Sequence, residues 1–199
     1  MHISEGVLSA PVLVTGAVLT ATAVGYSLKK MEHKEIPKVA ILSSVFFVAS
    51  LIHVPVGPSS MHLVLNGMTG VLLGWSAFPA ILVALALQGL LFQFGGITTL
   101  GVNTFNMALP AIICFYLFKR WVRGKNNFVA LMMAFFCGFL AVLLSGVMVA
   151  AALVFTGEPF LQVAKLVLFV HLPVMILEGV LTLFCIGFLR KVRPEILKV

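Results

Sequence analysis

The sequence predicts an all-α integral membrane protein of about seven transmembrane helices, on three observations. Hydrophobic residues make up 61% of the 199-residue chain, charged residues only 10%, and the mean hydropathy is +1.17. A soluble domain is about a quarter charged, so a surface this apolar belongs in lipid. Apolar runs approaching bilayer-spanning length recur along nearly the whole chain. The basic residues gather at the ends of those runs, as cytoplasmic loops require.

The first run covers Val7 to Leu28, and the second Val39 to Val54 after Pro37. A polar link, Pro55 to Ser60, leads to a third run from His62 to Trp75 and a fourth from Pro79 to Phe94. A glycine-rich link, Gly95 to Asn103, precedes a fifth run from Thr104 to Phe118. The sixth is Phe128 to Phe155 and the seventh Phe160 to Leu189. The third and fifth are short for a full span of about 20 residues, so each is tilted little, starts below the surface or re-enters. The last two are long, which calls for tilt or a bend near Gly138, Gly146 or Pro173. Residues 1–199 are expected to form a single transmembrane domain.

Charge sets the expected orientation. Lys29, Lys30, Lys34 and Lys38 form one basic cluster; Lys119, Arg120, Arg123 and Lys125 a second; Arg190, Lys191, Arg193 and Lys198 a third. Only Lys165 stands apart, and the links at Pro55–Ser60, Gly95–Asn103 and Thr156–Pro159 hold no Lys or Arg. Seven crossings with the N-terminus outside and the C-terminus inside put all three clusters in the cytoplasm. The net charge of +7 is therefore an orientation signal. Nucleic acid is not an expected partner, because no aromatic or groove-reading motif accompanies the clusters.

Several classes of chemistry are disfavoured. The chain has no G-x-x-x-x-G-K-[ST] loop to couple ATP, no H-E-x-x-H, no G-x-S-x-G and no aspartate. Cys114, Cys137 and Cys185 lie singly in apolar runs and read as small buried hydrophobes. No basic n-region precedes the first run, so the mature chain is expected to begin at Met1.

The start, Met1-His2-Ile3-Ser4-Glu5-Gly6, is the sharpest feature. A free α-amine, the amide nitrogen of His2 and its imidazole would make fused chelate rings in one plane. Planar nitrogen ligation suits Ni(II) and Cu(II) better than tetrahedral Zn(II). A fourth donor would complete the square, and His62, expected on the same side of the membrane, is the candidate. The alternative for His62 is a histidine hydrogen-bonded to a carbonyl at a span end. Asn103 and Asn106 read either as residues that orient a ligand or close a loop, or as helix caps. Met61, Met68 and Met107 read as packing, and His33 and His53 as bystanders. Glu178 is the only carboxylate inside a span, with His171 two turns before it on the same face. It needs a partner or a proton; it could hold the bundle together, orient a loop or attract a cation. Ala17, Ala21 and Gly25 place small residues four apart, for packing within the bundle or for docking a partner subunit.

These residues resemble the CbiM/NikM family, the substrate-binding membrane components of energy-coupling-factor transporters for cobalt and nickel. The resemblance rests on the M-H-I-x-E-G start, Ser60-Met61-His62, the stretch Gly95 to Met107, and His171-Leu172-Pro173 with Glu178-Gly179. It spans essentially the whole chain. It implies a seven-helix fold with the N-terminus inserted into the bundle from outside, and a Co(II) or Ni(II) ion held as cargo by Met1, His2 and His62. Glu5, Ser60, Asn103, Asn106, His171 and Glu178 would then orient ligands or close loops. It also implies a prokaryotic cell-membrane location, a transmembrane coupling subunit, cytosolic ATPases, and any small accessory membrane subunit as a separate chain. An intramembrane enzyme using His171 and Glu178, or a ligand-free scaffold, are the competing readings.

Overall fold

The computed structural model describes residues 2–56, 59–157, 162, 163, 166, 169 and 171–197; the side chains of 53–56 and 59–62 lie outside that description. Among the described residues the chain forms seven α-helices and one β-hairpin. Helix α1 is Ala10–Lys30, with Pro11 in its first turn and Lys29 and Lys30 in its last. Proline is preset for a helix start, and the basic side chains complement the negative end of the helix dipole. Helix α2, Ile36–Ala49, is shorter than its sequence run suggests. The chain leaves it at Ser50 and forms an antiparallel hairpin, β1 His53–Val56 and β2 Ser59–His62, with His53 opposite His62. The expected polar link is thus a hairpin, a form favoured by β-branched Val54 and Val56 ahead of Gly57-Pro58.

Helix α3, Asn66–Leu73, has eight residues and rises only about 12 Å. It starts below the hairpin, one of the options left open for the third run. Asn66 Nδ2 donates to Met107 O at 3.2 Å, Gly70 abuts Ala111, and Gly74 abuts the Phe115 ring. Each pair has the same separation, so α3 runs parallel to α5, Leu100–Val122. At Gly74, with φ +55°, the chain turns through a 3₁₀ segment, Gly74–Ser76, into α4, Ala77–Phe92. Helix α4 returns, because Gly89 and Leu90 line one small cavity with Gly96 and Leu100 at the start of α5. Only glycine takes that left-handed turn without strain.

The fifth run is not short. Helix α5 starts four residues before Thr104, ends at Val122, and its 23 residues suffice for a full span. Helix α6, Asn127–Thr156, matches its run, and the Asn126 side chain caps its start by accepting from Val129 N at 3.2 Å. The last helix, α7, is Leu172–Val192. Pro173 sits in its first turn and so begins the helix instead of bending it.

The contacts define two ends. Ser27 Oγ donates to Trp75 O at 2.8 Å, Trp75 Nε1 to Tyr116 Oη at 3.0 Å, Lys38 Nζ to Ile196 O at 3.2 Å, and Arg190 Nη2 to Gly124 O at 2.8 Å. The three basic clusters therefore share one end. The N-terminal residues, the Gly95–Thr99 loop and the end of α6 share the other, where Ser9 N meets Thr156 Oγ1 at 3.4 Å. Helix α3 is the axis of the bundle: every residue from Asn66 to Leu72 is buried. Outward residues such as Val14, Val18 and Phe155 are exposed and apolar, the surface a bilayer would cover.

Candidate metal centre

The first residues are buried at the end opposite the three basic clusters. His2 is 2% exposed and Ile3 is fully buried. One side chain holds them: Asn103 Oδ1 accepts from Ile3 N at 2.9 Å, and Asn103 Nδ2 donates to Ile3 O at 3.0 Å. The amide thus pairs with both polar groups of one residue, as a neighbouring strand would. The Ile3 N–H can only donate and its carbonyl only accept, which fixes which way the amide faces, and Asn103 Nδ2 also donates to Thr99 Oγ1 at 3.2 Å.

Two further bonds extend the clamp. Glu5 N donates to Gly95 O at 3.2 Å, and Glu5 Oε1 accepts from Thr98 N at 3.1 Å. The loop must be glycine to come this close. A Cβ on Gly95, whose φ is +80°, would sit 3.4 Å from His2 Cβ, and one on Gly96 would fall 1.8 Å from Glu5 Cγ. Met1 lies outside the described residues.

The second half of the site is the strap that follows the hairpin. His62 ends β2; its side chain, like that of Ser60, is outside the described residues. Two residues on, the strap is anchored by Glu178 of α7. The Glu178 carboxylate accepts from Val64 N and from Leu65 N, the latter at 2.9 Å to Oε2. Glu178 is fully buried, so its partners are backbone donors that would otherwise go unsatisfied ahead of α3. Leu65 itself has φ +51°, a conformation the carboxylate helps impose. Asn66 continues the anchor, with Nδ2 donating to Ser145 Oγ at 2.8 Å and to Met107 O.

The halves adjoin. Asn103, which carries Ile3, and Met107, whose carbonyl carries Asn66, are one turn apart on α5, about 6 Å along its axis. His171, 1% exposed, stands at the N-cap position of α7, two turns before Glu178. Among the described residues no three His, Cys, Asp or Glu side chains gather into a metal cluster.

Other sequence candidates fall elsewhere. Asn106 is buried and lines an apolar groove between α1, α5 and α6. The small face of α1 makes its close contact within the bundle: Gly16 lies on Val102, and a Cβ on Gly101 would come 2.6 Å from Ala17 Cα. Ala21 and Gly25 are exposed. Met68 and Met107 are core residues, and Cys114 and Cys137 are buried free thiols. Sequence reading missed Asn66, Thr99 and the backbone partners of Glu178. Asn66 carried a signal, an amide inside an apolar run.

Fold and site together define a class: a polytopic helical membrane protein whose N-terminal residues are built into one end of the bundle. The chain belongs to the CbiM family, the cobalt uptake substrate-specific transmembrane region, whose profile matches residues 2–196. It is 41% identical over 199 residues to a protein of Haemophilus influenzae named for metal transport, covering 99% of this chain and 97% of that one. It is 30% identical to a protein of Methanococcus voltae named for cobalt transport, covering 98% and 94% of the two chains. It is also 28% identical to a fused NikMN protein of Archaeoglobus fulgidus named for nickel transport, covering 100% and 68%. The crystal structure of a truncated transition metal transporter superposes with a TM-score of 0.74 at 26% identity, over 96% of this chain and 99% of that one. The chain is accordingly a transmembrane component of cobalt and nickel uptake, a transport protein by family.

Proposed function

We propose that this chain is the substrate-capture subunit of an energy-coupling-factor transporter, taking Ni(II) or Co(II) from outside the cell. The ion is cargo, held by the Met1 amine, the amide nitrogen and imidazole of His2, and an imidazole nitrogen of His62. The observation that carries the reading is the Asn103 clamp. A buried N-terminal segment with both polar groups of Ile3 paired in place is a preorganised ligand strand. Glu5 and Glu178 hold the two backbones that bear the ligands, and Ser60 and His171 would close the same end. Removing an ion from its water shell needs several donors already in position, which fixed backbones supply.

The basic end faces the cytoplasm in this reading, and the N-terminal end faces out. Work comes from separate cytosolic ATPases through a transmembrane coupling subunit, which the exposed Ala21 and Gly25 face of α1 could meet together with Ala17. A small accessory membrane subunit would be a further chain.

The test is metal titration of the untagged protein with Ni(II), Co(II), Cu(II) and Zn(II) in parallel. One ion should bind per chain. His2→Ala, His62→Ala and any uncleaved N-terminal extension should each abolish binding, since an extension turns the amine into an amide. A C-terminal tag should leave binding intact. Full nickel affinity in an N-terminally extended protein would refute the ligand set.

A further inference from the structure

We propose that the basic end carries a binding site for one anionic phospholipid, in the cleft between α6 and α7. Two cavities flank the Arg190 guanidinium. One, of 190 Å³, is lined by Arg123, Asn127 and Arg190. The other, of 280 Å³, is lined by Asn127, Leu131, Gly187, Arg190 and Lys191. Arg190 is fixed: Nη1 donates to Val122 O, Nη2 to Gly124 O at 2.8 Å, and Nη2 and Nε to Asn127 Oδ1 at 2.7 and 3.2 Å. Every one of these acceptors is neutral, so the bonds hold the charge in place without cancelling it. Among the described residues no carboxylate lines either cavity. Among the described residues the ion pairs are Lys34–Glu32 and Arg193–Glu195, both exposed and neither involving Arg190 or Lys191.

Two cationic side chains, the immobile Arg190 and the exposed Lys191, thus meet in the larger cavity at the membrane-interface end of two spans, and Arg123 lines the smaller cavity beside them. The N-terminus of α6, which begins at Asn127, adds its positive dipole end to the same place. Charge complementarity calls for an anion, and cationic pockets between helices at this level suit a lipid phosphate.

The lower wall decides the source of that phosphate. From Arg190 and Lys191 the larger cavity descends about one turn along each helix to Leu131 and Gly187. Phe128 and Phe188, next in sequence to Asn127 and Gly187, are 73% and 64% exposed. A polar mouth above an apolar floor fits a headgroup with the start of an acyl chain. A free phosphate would use the mouth alone. The inference stands on this end of the molecule and does not rest on the metal reading.

The test titrates the purified full chain, in neutral detergent, with phosphatidylglycerol, with phosphatidylcholine of the same chains, and with inorganic phosphate. Native mass spectrometry reads retained lipid and thermal unfolding reads stabilisation. Phosphatidylglycerol should be retained as a single adduct and raise Tm, and phosphatidylcholine should do neither. Lys191→Gln, at an exposed position, should weaken retention about five-fold, the effect of one basic residue near a membrane surface. Leu131→Trp should block the floor and remove the adduct; if it fails to fold, Lys191→Gln carries the test. Equal retention of both lipids, full stabilisation by inorganic phosphate alone, or an adduct unchanged in Lys191→Gln would each overturn the proposal.

Discussion

Asn103 shows how much one side chain can settle. Its amide satisfies the N–H and the carbonyl of Ile3 at once, which sets its orientation, and it also donates to Thr99. Asn103→Ala leaves both Ile3 groups buried without their partner and releases the strand that bears His2. Metal affinity should fall about 10- to 100-fold, the usual penalty for losing a group that orients a ligand. Isothermal titration against helicity by circular dichroism checks this, and unchanged affinity in a folded variant would remove Asn103 from the site. Asn103→Asp should not restore binding, because a carboxylate cannot donate to Ile3 O. At this scale the sequence was informative about which residues matter and silent about what they touch. An asparagine in a glycine-rich stretch and a lone intramembrane carboxylate both stand out by their chemistry. The partners of Glu178 are backbone N–H groups of Val64 and Leu65, and a backbone group leaves no mark in the sequence.

Elements were legible to the extent that hydrophobic runs and helices coincide. Helix α6 fills its apolar run nearly end to end. Helix α5 exceeds its run because Leu100 to Asn103, read as loop, winds into the helix that carries the Asn103 clamp. Helix α3 falls short because the chain before it is spent on the hairpin and on the strap held by Glu178. Its shortness places Asn66 inside the bundle, level with Met107 two turns into α5, where a longer helix would have carried it to the rim. The close fit of α3 on α5 gives a contrast between two glycines. A Cβ on Gly70 would lie 2.2 Å from Ala111 O, backbone that cannot swing aside, whereas one on Gly25 of α1 meets nothing within 4 Å. Gly70→Ala should destabilise by about 1–3 kcal/mol as an overpacked core. Gly25→Ala should be neutral or stabilise by about 0.5–1 kcal/mol as a helix-interior glycine replaced. Thermal unfolding of both variants in the same detergent compares them, and equal Tm values would mean that α3 does not pack on α5 as described.

For the whole molecule, orientation is what would make the buried N-terminus the proposed uptake site. The structure gathers Lys29, Lys38, Lys119, Arg123 and Arg190 towards one end and the His2 segment at the other, through contacts such as Ser27 with Trp75 and Arg190 with Gly124. On the positive-inside rule the basic end is the proposed cytoplasmic one. That step was readable from sequence because it depends on composition near span ends. The folding of the N-terminus into the bundle was not readable from composition, since Ile3 is drawn in by a residue a hundred positions away. The orientation is tested with single cysteines at exposed positions. Ile97, 70% exposed beside the Glu5 clamp, reports on one end, and the exposed Lys125 on the other. In intact cells a membrane-impermeant maleimide should label Ile97→Cys and spare Lys125→Cys until the membrane is opened. Cys114 and Cys137 are buried and Cys185 is half-buried, so Cys185→Ala serves as the parent chain. The reverse pattern would place the Asn103 clamp on the cytoplasmic side. His2 would then face metal that is already inside, and a capture role in import would be untenable even with the ligand set intact.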